Sequence, residues 1–236
     1  MSAVLVVEHE ERCPLGRLPL PGLDVDLRRP WRGEPLPADL SDHAGLVVLG
    51  GHVAAWEDDA APWLPATRAL LAGAVAGGVP ALGVCLGAQL LALATGGRVE
   101  RGAAGAEAGL LEVTAAPAAA GDALVGALGP RWLAPQSHGD AVTALPPDAV
   151  VLASSAAYPV QALRVGERAW GVQYHPEVTP AVLAVWLAGH GAALAARGTD
   201  AASELAAVER EDAALVALAQ AHGGAFAHEV RAAAAR

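Results

Sequence analysis

The chain has 236 residues, a formal net charge of −10 at pH 7 and 54% hydrophobic residues, so it is long enough to fold around one large core. An acidic chain with few aromatic residues lacks the basic stripe of a nucleic-acid-binding surface, and we therefore predict no nucleic-acid partner. All 15 of its lysine and arginine residues are arginine. The absence of lysine from this sequence excludes a phosphate loop of the Walker type and any Schiff-base mechanism.

The first half of the sequence predicts buried strands that alternate with helices. The first two strands are predicted at Ala3–Val7 and at Gly45–Leu49, which ends at Gly50-Gly51. The uncharged stretch from Ala69 to Gly97 is long enough to span a membrane. The breakers Gly77-Gly78-Val79-Pro80 interrupt it, so we predict no membrane span. We expect instead a helix, a strand and a second helix, at 63–76, 81–84 and 86–95.

The second half is predicted to continue the same alternation. Further strands are expected at 110–114, 150–153 and 169–174. Pro180–Arg197 is predicted to form one helix, with Thr179 as its N-cap and Gly198 as its stop. Alternating strands and helices predict an α/β fold, with a mostly parallel central sheet and helices on both of its faces.

The last residues are predicted to form a helical extension, 199–236, of a domain that covers residues 1–198. Apolar residues at helical spacing predict an amphipathic helix over 200–221 that stops at Gly223-Gly224. Two interpretations stay open for this helix. It packs back on the domain, or it forms a docking surface for a second copy of the chain or for another protein.

One short segment has the pattern of a turn that presents a nucleophile. Cys85 follows a predicted strand, opens a predicted helix and is flanked at two residues on each side by Gly83 and Gly87, which permit the sharp turn. The helix N-terminus favours a thiolate at Cys85. The backbone N–H groups of Leu86, directly after the nucleophile, and of Gly51 are the candidate donors to an oxyanion.

A second segment, His175-Pro176-Glu177, supplies a base and a carboxylate. Residues i and i+2 of a strand project from the same face, so we expect Glu177 to orient the imidazole of His175. With Cys85, the chain has a nucleophile, a base and an orienting acid. The histidines show no metal-ligand spacing such as His-Glu-x-x-His, and we predict no catalytic metal and no cofactor.

The motifs Gly-Val-Cys-Leu-Gly-Ala-Gln at 83–89 and Gly-Val-Gln-Tyr-His-Pro-Glu at 171–177 resemble those of class I glutamine amidotransferases. Within that family they are similar to the glutaminase domain of GMP synthase. The resemblance extends from about Val4 to Arg197. It implies a flavodoxin-like fold and a catalytic triad of Cys85, His175 and Glu177.

The resemblance also implies which residues bind the substrate. The amide of Gln89 would hold the substrate glutamine. The segment Ser137-His138-Gly139-Asp140 resembles the family segment whose backbone contacts the α-amino and α-carboxylate ends of glutamine. The oxyanion loop would be Gly50-Gly51-His52, in which His52 stands where the family usually has proline. We interpret His52 as a polar loop residue and not as a catalytic one.

The reaction implied by the resemblance is hydrolysis of the side-chain amide of L-glutamine through a γ-glutamyl thioester on Cys85. In the family the ammonia passes to a synthase site on a partner or a fused domain, and this sequence contains no recognisable acceptor domain. The acceptor of the ammonia is therefore open, with a synthase subunit as one possible partner, and a homodimer is a separate possibility for the C-terminal helix. An alternative is a γ-glutamyl hydrolase, which shares Cys, His and Glu but cleaves γ-glutamyl amides and peptides without a synthase.

The cysteine count and the N-terminus predict the compartment. Two cysteines, Cys13 and Cys85, cannot make a disulfide framework. No positive charge precedes the apolar run at residues 3–7, as it would in a signal peptide. We therefore expect a cytoplasmic protein, because the cytoplasm keeps thiols reduced.

Overall fold

The structure is a computed structural model that describes residues 3–235. Within these residues the chain forms eleven strands and six α-helices. The strands are β1 (Ala3–Val7), β2 (Val25–Arg28), β3 (His43–Val48), β4 (Ala81–Val84), β5 (Arg98–Arg101), β6 (Glu107–Ala115), β7 (Arg131–His138), β8 (Asp140–Ala144), β9 (Ala149–Ser154), β10 (Ala162–Val165) and β11 (Ala169–Val172). The helices are α1 (Leu64–Gly77), α2 (Leu86–Ala94), α3 (Pro180–Leu187), α4 (Gly191–Ala196), α5 (Ala201–Arg210) and α6 (Asp212–Ala234).

Nine strands form the central sheet in the order β2-β1-β3-β4-β11-β10-β9-β6-β7, and β5 pairs with β8 in a separate ribbon. The α/β fold is confirmed, but within the described residues the sheet is less parallel than expected. The strands from β2 to β11 in this order run parallel, whereas the pairings from β11 to β7 are antiparallel. Residues 107–172 return through short connections without a crossover helix, and such connections produce antiparallel neighbours.

Helices cover both faces of the sheet, as predicted. Alternate side chains of a strand point to opposite faces. Val4 and Val6 of β1 belong to a core cluster that includes residues of α3, α5 and α6. Leu5 and Val7 belong to a second cluster, which includes residues of α1 and α2. No helix within residues 3–235 is both long and apolar enough to cross a bilayer.

The helix predicted over 180–197 is wrong in one respect, because the structure contains two helices there. Thr179 caps α3 as expected, and its side chain accepts a hydrogen bond from the N–H of Val182 at 3.3 Å. The chain then turns at Gly189, and His190 takes a non-helical conformation before α4 begins. This turn brings the His190 ring to 2.9 Å from the hydroxyl of Ser137, a contact that a continuous helix would not be expected to make.

The predicted stop at Gly223-Gly224 is also wrong, because α6 continues through both residues. Gly223 lies directly against another part of the chain: a Cβ atom there would be 1.9 Å from the carbonyl oxygen of Pro19. The glycine therefore allows a close approach and does not end the helix. Further along α6, Phe226 and Val230 are fully buried in the same cluster as Val4. The division of the chain at residue 198 and the docking role of its last part stay predictions.

Candidate active site

Cys85 sits on a strained turn between β4 and α2. Its φ of +49° lies in the left-handed region, which residues other than glycine rarely adopt. The two flanking glycines permit this turn. A Cβ atom on Gly87 would lie 2.0 Å from the Val48 carbonyl oxygen, and one on Gly83 would lie 2.4 Å from the backbone of Gly87. The backbone N–H of Cys85 donates to the carbonyl of Val172 at 2.8 Å, which fixes the turn beside β11.

His175 and Glu177 form a buried pair. The ring Nδ1 of His175 lies 2.7 Å from Oε1 of Glu177, and both side chains are at least 97% buried. The backbone N–H of His175 donates to the Pro135 carbonyl at 2.9 Å. The strand argument used to predict this contact is wrong, because β11 ends at Val172. The pair instead lies in a turn that contains Pro176, whose fixed φ restricts that turn.

The environment of His175 favours its protonated form. Burial lowers the pKa of this imidazole, but the charges of Glu177 and Cys85 raise it more strongly, to about 10. The Nε2 atom of the ring has no hydrogen-bond partner among the described residues and the residue borders the cavity described below. The ring is thus placed to hold a proton and to exchange it at Nε2.

The nucleophile and the base converge over Gly50. A Cβ atom on this glycine would lie 3.2 Å from Cε1 of His175 and 3.7 Å from Cβ of Cys85. Any larger residue here would press against one or both of them. The structure therefore brings together the three residues predicted as the triad, and a side chain at position 50 would press on the ring of His175.

The two residues that carry the predicted oxyanion donors are neighbours. Leu86 is the first residue of α2, so its N–H has no partner within the helix. Gly51 lies beside it, because a Cβ atom on Gly51 would be 2.8 Å from Cδ2 of Leu86. The side chain of His52 is 77% exposed and its ring hydrogen-bonds to Glu10, at the border of the cavity described below. This orientation agrees with the interpretation of His52 as a loop residue.

A cavity of about 720 Å³ opens in front of Cys85 and His175, and it is bordered by Gln89, Gly51 and the segment 137–140. The amide nitrogen of Gln89 donates to the Asp140 carbonyl at 3.2 Å and to Oε1 of Gln173 at 3.1 Å. The nitrogen is therefore engaged within the protein. Any contact of Gln89 with a substrate would use the rest of its amide.

The segment 137–140 connects β7 to β8, with only Gly139 between the two strands. The thiol of Cys85 lies 4.0 Å from the Ser137 carbonyl oxygen, so this segment reaches the nucleophile. Asp140 faces Arg101, with Oδ1 and Nη1 3.1 Å apart. Burial raises the pKa of Asp140, and the positive charge of Arg101 opposes that rise.

Both ring nitrogens of His138 have partners within the protein, although the residue borders the cavity. Its Nδ1 lies 3.0 Å from the Asp140 carbonyl and its Nε2 lies 3.0 Å from the carboxylate of Glu107. Glu107 also accepts hydrogen bonds from Gln161 at 2.6 Å and from Ser155 at 2.7 Å. His138 therefore fixes the 137–140 segment from behind, and a role in binding substrate is left to its backbone.

Several cavity residues escaped the sequence analysis. Trp186 and His190 come from the end of α3 and the start of α4, and Arg101 from β5. Cys13 comes from the segment after β1; its thiol donates to Oε1 of Glu10 at 3.1 Å, and burial followed by the charge of Glu10 raises the pKa of this thiol. These surroundings favour the protonated thiol at Cys13 over a thiolate. No local motif marks these residues, because each reaches the cavity through a tertiary contact.

The fold and this geometry define an α/β protein with a Cys-His-carboxylate site. Residues 34–184 match the family described as Glutamine amidotransferase class-I. One subunit of the glutamine-hydrolysing GMP synthase from Halobacterium salinarum is 39% identical over 143 residues, which are 60% of this chain and 70% of that subunit. A GMP synthase from Aeropyrum pernix is 36% identical over 201 residues, 81% of this chain and 36% of that synthase. The chain spans only 26% of the GMP synthase from Porphyromonas gingivalis.

Solved structures show the same fold over nearly the whole chain. A glutamine amidotransferase from Thermotoga maritima superposes with a TM-score of 0.82 at 28% identity, covering 96% of this chain and 99% of its own. A glutamine amidotransferase from Methylobacillus flagellatus has a TM-score of 0.85 at 26% identity, with 97% and 95% covered. The chain belongs to the class I glutamine amidotransferase family.

Proposed function

We propose that this chain hydrolyses the side-chain amide of L-glutamine and that Cys85, His175 and Glu177 perform the reaction. The observation that carries the proposal is the convergence of a strained, helix-opening cysteine with a buried histidine–carboxylate pair over Gly50. Nucleophile, base and orienting acid in this arrangement are the components of covalent acyl transfer.

In the proposed reaction the thiolate of Cys85 attacks the carboxamide carbon. The N–H groups of Leu86 and Gly51 stabilise the oxyanion that develops. His175, which holds a proton at neutral pH, donates it to the departing ammonia and leaves a γ-glutamyl thioester. The neutral imidazole then takes a proton from water, which attacks the thioester, and glutamate and the Cys85 thiolate are released.

The proposed substrate contacts follow the borders of the cavity. The backbone of residues 137–140 is proposed to bind the α-amino and α-carboxylate groups of glutamine, because this segment passes close to the Cys85 thiol. Gln89 supports the segment through its hydrogen bond to the Asp140 carbonyl and borders the cavity itself. No metal enters this mechanism.

The first test is the release of glutamate from L-glutamine by the purified chain, with a Cys85→Ala variant beside it. We expect Cys85→Ala to reduce turnover by about 10⁴-fold or more, because the remaining groups cannot form the covalent intermediate. Cys13→Ala is the matched control and should keep most of the activity, since Cys13 is a protonated thiol of the same cavity.

A γ-glutamyl dipeptide in the same assay separates the alternative function. Cys85-dependent turnover of the dipeptide without turnover of glutamine would replace the proposal by a γ-glutamyl hydrolase. Equal activity of the wild type and the Cys85→Ala variant on glutamine would contradict the proposed nucleophile.

We further propose that the ammonia is delivered to a synthase subunit, in preference to a role for a second copy of this chain. The support is that one relative is named as a single subunit of a GMP synthase and is matched over 70% of its length. The test is to supply cell extracts with glutamine labelled with ¹⁵N at its amide, together with the wild type or Cys85→Ala. A small molecule that acquires ¹⁵N only with the wild type identifies the acceptor, and label confined to free ammonium contradicts the delivery.

A further inference from the structure

The indole of Trp186 lies against the buried imidazole of His175. The two ring centroids are 4.5 Å apart and the ring planes are inclined at 59°. Both residues border the cavity in front of Cys85. Nucleophile, base and carboxylate are complete without this aromatic residue, so its position calls for a separate explanation.

The indole is held in place by a hydrogen bond and by the packing of its helix. Its Nε1–H donates to the carbonyl oxygen of Arg12 at 3.0 Å, which joins the end of α3 to the segment after β1. Leu183 and Leu187 of the same helix are buried in the core, and Trp186 packs against the cluster to which they belong. The ring cannot turn away from His175 without losing the hydrogen bond to Arg12.

The charged and titratable groups around the imidazole come from three parts of the chain. Glu177 lies 2.7 Å from Nδ1, and Cys85 faces the ring from the start of α2. The Cys13 thiol lies near the same point, since its Sγ would be 3.7 Å from a Cβ atom on Gly50. From α3 the imidazole meets no charge, only the indole.

An indole attracts a cation that lies over its ring face within about 6 Å of the ring centroid, and the attraction grows where water is excluded. His175 is 98% buried, so its imidazolium would be exposed to this attraction with little screening by water. A neutral imidazole gains less from the same contact. The indole therefore favours one protonation state of its neighbour over the other.

We propose that Trp186 is a positioning residue that stabilises the imidazolium form of His175 and with it the ion pair between His175 and the Cys85 thiolate. The proposal rests on the proposed function in that this pair is the catalytic one. The end of α3 would then influence the reaction through Trp186, which packs against the base His175.

The test is an NMR titration of His175 in the full-length chain labelled with ¹³C-histidine, in which His175→Gln identifies the signal. In Trp186→Leu we expect the inflection of His175 to fall by roughly one pH unit, a tenfold loss of proton affinity. Trp186→Phe keeps a π face but loses the hydrogen bond to Arg12. Its inflection should lie between those of the wild type and of Trp186→Leu, because a phenylalanine ring attracts a cation less strongly than an indole does.

Trp132→Leu is the control for removing a tryptophan near the site. Trp132 packs on Tyr174 with ring centroids 6.1 Å apart, and its loss should leave the His175 titration unchanged. An inflection of His175 that stays constant or rises in Trp186→Leu overturns the proposal, as does an equal fall in Trp186→Phe.

This titration requires no turnover, so its outcome is separate from that of the glutaminase assay. If the wild type hydrolyses glutamine but the His175 inflection is the same in Trp186→Leu as in the wild type, only the positioning role of Trp186 is overturned. A shift of the expected size in a chain that hydrolyses no glutamine would support the contact and contradict the proposed function.

Discussion

At the scale of the residue, two glutamates perform similar tasks on two buried histidines. Glu177 holds His175 at 2.7 Å and Glu107 holds His138 at 3.0 Å. Both ring nitrogens of His138 face acceptors, the carboxylate of Glu107 and the Asp140 carbonyl. Glu107 also accepts hydrogen bonds from Gln161 and Ser155, so its carboxylate contacts three side chains behind the candidate substrate segment.

Replacing Glu107 by glutamine should destabilise the protein. The substitution replaces one oxygen of a buried carboxylate by an amide nitrogen, and a hydrogen bond to a charged group is worth about 1.5–3 kcal/mol. We expect a loss of about 3 kcal/mol in the free energy of unfolding, because contacts of the carboxylate with several side chains are weakened together while the new amide oxygen still accepts a hydrogen bond. Urea unfolding at neutral pH measures it.

Glu112→Gln is the matched control on the same strand. The Glu112 side chain is 57% exposed and its partner Arg131 is 3.9 Å away, so its removal should change stability by less than about 0.5 kcal/mol. Similar losses in the two variants would show that the pair between Glu107 and His138 contributes no more than a surface contact.

The two glutamates also differ in how far the sequence reveals them. Glu177 lies two residues from His175, within one motif, so the pair could be predicted locally even though the strand geometry assumed for it was wrong. Glu107 meets His138 because the two are cross-strand partners in β6 and β7. That register depends on the pairing of whole strands, and no pattern in the neighbourhood of either residue encodes it.

At the scale of the element, the adjacent glycines of α6 have opposite roles. Gly223 is buried against Pro19, whereas a Cβ atom on Gly224 would meet nothing within 4 Å. Gly223→Ala should therefore force α6 away from Pro19 and destabilise the protein by about 1–3 kcal/mol or more. Gly224→Ala should stabilise it by about 0.5–1 kcal/mol, because alanine loses less backbone freedom than glycine in a helix interior.

Thermal or urea unfolding of the two variants compares the same chemical change at neighbouring positions. Opposite signs of the change in stability are the expected result. Equal small gains in both would mean that α6 does not rest on Pro19, and that the Gly-Gly pair is only a local feature of the helix.

Helix α6 also shows why the bounds of some elements were predicted correctly from the sequence and those of others were not. The strand 81–84 was predicted with its correct bounds, since a continuous apolar run between breakers is typical of a buried parallel strand. Gly223-Gly224 looked like a stop because glycine often ends helices. Its real use is a close packing contact with Pro19, at the other end of the sequence, and such a contact leaves no periodicity in the sequence.

At the scale of the whole molecule, the sheet has two parts with different consequences for prediction. In its parallel part, Cys85 directly follows β4, and the turn that contains His175 follows β11. Each of these residues lies within a short sequence motif, so both could be found from the sequence. The antiparallel part contributes the segment 137–140 and the network around Glu107. Strands β7 and β10 of that part, and β8 of the separate ribbon, were not predicted, because their apolar residues do not form long uninterrupted runs.

The stability of the whole molecule should fall in acid because of two buried histidines. Burial lowers the pKa of His9 to about 4, and burial lowers that of His222 to about 4 against a weaker opposing effect of the Leu218 carbonyl. In the unfolded chain each ring takes up a proton below its ordinary pKa of 6.5. The unfolded state therefore binds more protons between about pH 6.5 and 4. The contribution of each ring is fully present above about pH 6.5 and is lost as the pH falls through this window.

His222→Gln should reduce this dependence on pH. The Tyr174 hydroxyl lies 2.9 Å from Nε2 of His222, and the Leu218 carbonyl lies 2.9 Å from Nδ1. A glutamine amide can keep both contacts without titrating. Urea unfolding at about pH 7, 6 and 5 should show a slope that is shallower than the wild type by up to about 1.4 kcal/mol per pH unit.

His228→Gln is the control, because His228 lies on the exposed side of the same helix and its loss should leave the slope unchanged. Carboxylates that titrate near pH 4 contribute equally to both variants and cancel in the comparison. If His222→Gln and His228→Gln follow the wild type with the same slope, His222 is able to accept its proton within the folded core. The buried contact with Tyr174 would then tolerate the charge, and the acid sensitivity of the molecule would have to arise elsewhere.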